Sequence, residues 1–374
     1  MKLEFNPNDL KRGLAMAKLV KPMPTSNYFI LKVMGGNLVI YSFDKRRSVR
    51  AEVIPSKPID QTYESDEYFL PVDKQSFLDS ELTAVSLTIS DKNISIKTES
   101  ENQSRQATIK KKSELSRTPP IPIRPNFVAA ATLQAHDFEE LLRQVSCSAM
   151  IRETKTEEDM RINQVHFYSE HECAVANARF YATEASLPGL NIDLSLVSAD
   201  LPLMKSFCSK LHDQPIKIGQ TDKHLFLIDP NNSYIMFSRV VSTKPAYKNI
   251  PVDGHEIVLS IDRNQFIKCL TWASMAIDGT QRLTLSANNS DNIIEFHNGK
   301  QELGKMPVQF IIGNRFSADF PVKYLAGIVK YLGDGNAYLK YAHPELSTIL
   351  EITEQIQDGT SKARHFIQAM NERS

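Results

Sequence analysis

Net charge is missing from this chain. Its 44 Lys plus Arg residues are matched by 44 Asp plus Glu over 374 residues, so no global field draws it to nucleic acid or membrane, and any such attraction must come from local segregation of charge. Cysteine is scarce. Cys147, Cys173, Cys208 and Cys269 form no C-x-x-C pair, which removes the usual zinc and redox signatures; three lie in apolar helix or strand patterns, as buried reduced thiols do, and a cytoplasmic location is expected. No stretch approaches the roughly 18 apolar residues that span a bilayer, and MKLEFNPNDLKRG has no apolar run of signal-peptide length. Phosphate-loop, HExxH, GxSxG and GxGxxG motifs are also absent. The acidic pairs Glu139/Glu140 and Glu157/Glu158 are adjacent in sequence and make poor acid/base partners. No catalytic residue, metal site or cofactor is expected.

What is present is a soluble composition, 41% hydrophobic and 24% charged, on a chain long enough for two or three domains. It also carries an echo. SADLP at 198–202 returns as SADFP at 317–321. Each copy follows an alternating strand and precedes an amphipathic pattern, so each is expected to start a helix, with Ser and Asp oxygens accepting free amide hydrogen bonds and Pro in the first turn. A third copy is expected at DEYFLPVDKQSFLDSEL (66–82), with Asp73 as cap.

Each unit has an earlier helix as well, in KLEFNPNDLKRGLAMAKLV, AATLQAHDFEELLRQVSCSAM and EIVLSIDRNQFIKCLTWASMAI. Phe138, Leu141, Leu142 and Val145 follow the spacing of one buried helix face, and Phe266, Cys269, Leu270 and Ala273 repeat it. Alternating runs broken by Gly or Asn turns, such as YFILKVMGGNLVIYSFD and QRLTLSANNSDNIIEFHN, read as antiparallel hairpins. The pattern therefore predicts an α+β fold of three repeated units of antiparallel sheet with two helices each. The Pro-rich SRTPPIPIRPN (116–126) and KPAYKNIPVDG (244–254) mark the joins, giving domains 1–124, 125–251 and 252–374.

At this point the sequence resembles the bacterial sliding clamp, the β subunit of DNA polymerase III. The residues that carry the resemblance are MKLEFNPNDLKRGLA, NLVIYSFDKRRSVRAEV, FSRVVSTKPAYKNIP and NRFSADFPVKYLAGIVKYL. They bear many substitutions, so the chain looks like a divergent member, of the kind a phage or mobile element encodes. The resemblance implies a head-to-tail homodimer whose three DNA-clamp domains per subunit close a ring, helices inside, around double-stranded DNA without sequence specificity. It would tether DNA polymerase and be loaded through clamp-loader peptides, with no membrane partner.

A ring around a duplex needs spread, water-screened cations on its inner helices. Candidates are Lys11, Arg12 and Lys18 on the first helix, Lys21 after it, Lys74, Arg143, Lys205 with Lys210, Arg263 with Lys268, and Lys323 with Lys330. Arg152 joins them, in a loop with Lys155. Lysines on a solvated helix face are equally ordinary surface residues.

Carried over from the family, a partner-peptide groove would be lined by Ile162, Asn177, Arg179, Phe180, Tyr181, Ala182, Pro245, Ile250, Leu346, Thr348, Phe366, Ile367, Ala369 and Met370. Here the chain departs from the family pattern: NARFYA replaces a turn that reads Thr-Asp-Gly-His-Arg-Leu, so the peptide preference should differ. Ring closure would involve Ile109, Met275 and Ile277. The competing expectation is a clamp-shaped binding scaffold, or an inhibitor of a host clamp, that does not encircle DNA.

Overall fold

The computed structural model describes residues 1–22, 28–71, 82–90, 92–100, 103–110, 128–149, 163–177, 181–240, 256–277, 282–332, 335–341, 349–354 and 363–369. These contain five α-helices: α1 (Pro7–Ala17), α2 (Ala135–Val145), α3 (Leu201–Ser209), α4 (Arg263–Ala276) and α5 (Val322–Val329). The strands pair antiparallel throughout, as the alternating runs predict. None of these helices is long and apolar enough to cross a membrane.

The helix-face readings hold. Phe138, Leu141, Leu142 and Val145 are buried along α2, and Phe266, Leu270 and Ala273 along α4; Cys269 is only partly covered. Burying such a side chain contributes about 1.5–3 kcal/mol each. In the hairpin Tyr28–Met34 to Asn37–Phe43, Gly35 and Gly36 take the positive φ that its two-residue turn requires.

The echo behaves differently in its two copies. Ser198–Asp200 forms one turn of 3-10 helix that leads into α3, whereas SADFP is the end of the strand Arg315–Pro321, and α5 begins only at Val322. Pairing with Arg282–Asn288 holds this second copy extended, and Asp319 accepts from Thr284 Oγ1 and pairs with Arg282 instead of capping a helix. Asp73 and both predicted joins lie outside the described residues.

Two compact units result. The first comprises 1–136 with 202–239, the second 137–201 with 240–374. In the first, α1 packs on the strands Asn37–Phe43 and Arg47–Val53 of an eight-stranded sheet and on Leu82–Ile89 of a four-stranded one. In the second, α4 and α5 pack together over a core that includes Leu259, Phe296, Phe320, Leu350 and Ile367.

Sheet membership cuts across the sequence repeats. The eight-stranded sheet takes four strands from before residue 125 and four from 128–238, joined where Arg47–Val53 pairs with Tyr234–Ser238. The nine-stranded sheet takes four strands from 164–197 and five from 257–368, joined where Tyr181–Ser186 pairs with Ala363–Gln368. Two four-stranded sheets remain, one near each end of the chain. Ser104–Lys110 is an outer strand of the first and Gln301–Pro307 of the second, and neither has a second neighbour among the described residues.

Candidate nucleic-acid and partner interfaces

The predicted cations separate into two classes. Arg12 is engaged inside its own unit: its guanidinium lies 3.2 Å from the carboxylate of Asp229, which is almost wholly buried. Burial pushes the Asp229 carboxyl above its ordinary range, opposed by the Ser233 backbone N–H and by Arg12. Arg12 therefore serves as a counter-charge to a carboxylate of its own unit. Arg143 is likewise held, by both oxygens of Glu140 and over the ring of Tyr331 at 5.9 Å. Arg263 donates to the Lys330 carbonyl and to Asn264, tying the start of α4 to the end of α5.

The lysines are different. Lys18, Lys21, Lys210, Lys268, Lys323 and Lys330 are exposed and make no ion pair among the described residues, while Lys11 and Lys205 are half-buried. Lys74, Arg152 and Lys155 lie outside the described residues. The sequence had ranked arginines and lysines alike; the separating signal, a carboxylate 217 residues away in the case of Arg12, is not local.

Of the groove residues, Asn177, Ala182 and Phe366 fall in one cross-strand row, because Asn177 faces Ala182 and Ala182 faces Phe366 in register. Phe366 is buried, with Arg364 over its ring at 5.0 Å. Arg364 in turn donates to the buried Glu351 at 3.0 Å and lies 3.8 Å from Glu184. On the opposite face, Tyr181 stacks on Tyr324 of α5 and Ile367 is fully buried in the core, as Ala369 nearly is. Those three serve packing. Ile162, Arg179, Phe180, Pro245, Ile250, Leu346, Thr348 and Met370 lie outside the described residues.

Beneath this row the same two strands carry a polar cluster that sequence reasoning missed. Thr183 Oγ1 is 2.9 Å from His365 Nδ1, 2.9 Å from Cys147 Sγ and 2.6 Å from Ser148 Oγ. A Cys and a His 3.4 Å apart invite comparison with a catalytic pair. Burial opposes it: the Cys147 thiol is pushed up and the His365 imidazole is pushed down to about 4, by burial first and the Arg143 charge second. Thiol and imidazole are both neutral here, so no activated thiolate forms.

At the proposed closure, Ile109 and Ile277 are buried within their own chain, Ile277 in the core shared by α4 and α5. They have little surface left to offer a second subunit. Met275 is 77% exposed, and Trp272, three residues earlier on α4 and absent from the sequence reading, is 70% exposed. These are the two most exposed large apolar side chains among the described residues.

No protein-family model matches the sequence, and no curated protein matches it at a significant level. Solved structures do. The DNA polymerase III β subunit of Pseudomonas aeruginosa superposes with a TM-score of 0.80 at 12% identity, covering 99% of this chain and 100% of that one. Its counterpart from Thermotoga maritima gives 0.77 at 15%, covering 99% of each chain. This chain has the sliding-clamp fold. The β subunit of Borrelia burgdorferi agrees, with a TM-score of 0.77 at 11% identity over the whole of both chains. Identity this low shows architecture alone.

Proposed function

We propose that two copies of this chain close head to tail into a ring that encircles duplex DNA, slides on it, and tethers a polymerase and other clients through a groove on the nine-stranded sheet. The observation that carries the reading is the strand tally. Two long sheets each bridge consecutive sequence repeats, and the two leftover four-stranded sheets come from the first and the last repeat. Pairing Ser104–Lys110 of one copy with Gln301–Pro307 of the next builds a third sheet of eight strands, beside the eight and nine of the other two, and leaves no repeat unjoined. On this reading the modules are 1–124, 125–251 and 252–374.

Two further features support it. Trp272 and Met275 sit on α4, which packs beside Gln301–Pro307, so an apolar patch adjoins the outer strand. Exposed lysines remain on or beside helices from all three repeats, which suits a screened and mobile contact with phosphate. For the groove, half-buried Ala182 is the described residue with surface left to meet a client peptide, and the buried Phe366 supports it in register from the neighbouring strand.

A second reading, a clamp-shaped scaffold that does not encircle DNA, draws on the internal use of Arg12, Arg143 and Arg263. Loading on nicked circular DNA decides between them. The ring reading expects retention on the circle and loss after linearisation, together with a dimeric mass in solution. Equal, rapid loss from circle and linear DNA favours the scaffold.

A further inference from the structure

The two long sheets cross from one repeat to the next in the same way. In each, a short outer strand and a three-strand meander meet the last strand of the next repeat's meander, at Arg47–Val53 with Tyr234–Ser238 and at Tyr181–Ser186 with Ala363–Gln368. The two crossings are therefore counterparts. Ser48 facing Met236 stands where Ala182 faces Phe366, and the outermost pair is Arg47 with Phe237 in one and Tyr181 with Ile367 in the other. At that end the first crossing is basic. Ser238 N donates to the Arg46 carbonyl at 2.9 Å and Arg239 N to the Lys223 carbonyl at 2.7 Å, which draws three segments together. Residues 44–47, 222–224 and 239 bring five cations, Lys45, Arg46, Arg47, Lys223 and Arg239, against two carboxylates, Asp44 and Asp222. Asp44 is already engaged: it accepts from the backbone N–H groups of Arg46 and Arg47 at 2.7 Å and lies 3.6 Å from the Arg47 guanidinium. Lys45, Arg46 and Lys223 are exposed, and burial first and the Lys223 charge second push the adjacent His224 imidazole below its ordinary range. In the row itself, Ser48 Oγ is buried with no hydrogen-bond partner among the described residues.

We infer that this basic crossing is a second docking surface for client proteins, and that its occupant is an acidic peptide segment. The inference rests on the groove reading of the counterpart row and goes beyond it. Arginine forks match carboxylates, and three of the five cations are arginines. None of the five lies on a helix, whereas the cations that the ring reading gives to duplex DNA sit mostly on or beside helices. A peptide laid across strand ends is the acidic partner that this placement fits.

The test is binding of a fluorescein-labelled decaglutamate peptide to the full-length protein in low salt, followed by anisotropy, with thermal melting in parallel. Lys45→Glu with Lys223→Glu should weaken binding about 10-fold, and Lys45→Gln with Lys223→Gln about 3-fold, both with the parental melt. Lys92→Glu with Lys300→Glu, at exposed turns elsewhere, should change it by less than about 2-fold. Equal loss in the two charge-reversal pairs, or no binding by the parent, overturns the docking surface. Retention on nicked circular DNA, measured on the same proteins, reports on the clamp reading separately: parental retention leaves that reading standing whatever the peptide does. If the Lys45 and Lys223 reversal keeps its peptide affinity and loses affinity for a labelled duplex instead, the crossing contacts nucleic acid and the peptide assignment is overturned.

Discussion

Helices α1 and α5 each carry a glycine among basic residues, and they use them in opposite ways. On α1, a Cβ at Gly13 would overlap Val53 Cγ2, so this glycine is what lets the helix seat on the strand Arg47–Val53, while the neighbouring Arg12 turns to buried Asp229. On α5, the space at Gly327 is open and Lys323 and Lys330 reach water. Like residue types on two helices therefore face inward in one case and outward in the other. A basic residue belongs to a ligand-facing surface only after the carboxylates of its own chain have been subtracted.

The largest expected effect tests the inward half of this comparison. Arg12→Ala leaves Asp229 buried without its counter-charge and should cost about 3 kcal/mol by urea denaturation at pH 7. Because the folded Asp229 carboxyl is already raised above its unfolded value, the deficit against the parent should shrink as pH falls and the carboxyl protonates. A deficit below about 0.5 kcal/mol would place Arg12 with the free lysines.

His365 sharpens the comparison, since its partners are all neutral. Its folded pKa of about 4 lies below the ordinary 6.5, so the unfolded chain binds the proton more readily and stability is lost as pH falls from 6.5 towards 4. Between pH 7 and pH 5 the loss should be about 2 kcal/mol. His365→Phe should flatten that part of the stability profile. An unchanged acid slope in the variant would show that His365 does not titrate with folding.

The two glycines should respond with opposite signs. Gly13→Ala is expected to destabilise by about 1–2 kcal/mol through overpacking against Val53, and Gly327→Ala to stabilise by about 0.5–1 kcal/mol, both read as shifts in melting temperature. Equal signs would break the contrast between the helices. Smallest of all, Lys323→Ala should change stability by less than about 0.5 kcal/mol. At the proposed closure, Trp272 is the chain's single tryptophan, so its emission should shift to the blue as protein concentration rises through dimer formation. A spectrum independent of concentration in a sample shown to dimerise would move the interface elsewhere.

Much of this was legible beforehand for a physical reason. Helix faces and hairpins are written in local spacing, which is why the buried stripes of α2 and α4 and the Gly35–Gly36 turn were readable from neighbours alone. The second SADFP copy was not, because cross-strand pairing with Arg282–Asn288 outweighed a local preference for a helix start. The polar cluster was invisible as well: Cys147 and Thr183 lie 218 and 182 residues from His365. Trp272 gave no signal because exposure depends on what packs over a helix, and nothing in its neighbourhood states that.

The sequence alone settled the hairpins and the buried faces of α2 and α4, since periodicity and turn chemistry act over a few residues. Tertiary structure decided which strands join across the repeats, which cations are consumed by buried carboxylates and which apolar side chains stay in water. Those outcomes depend on groups brought together from far along the chain, where burial and pairing energies exceed any local preference.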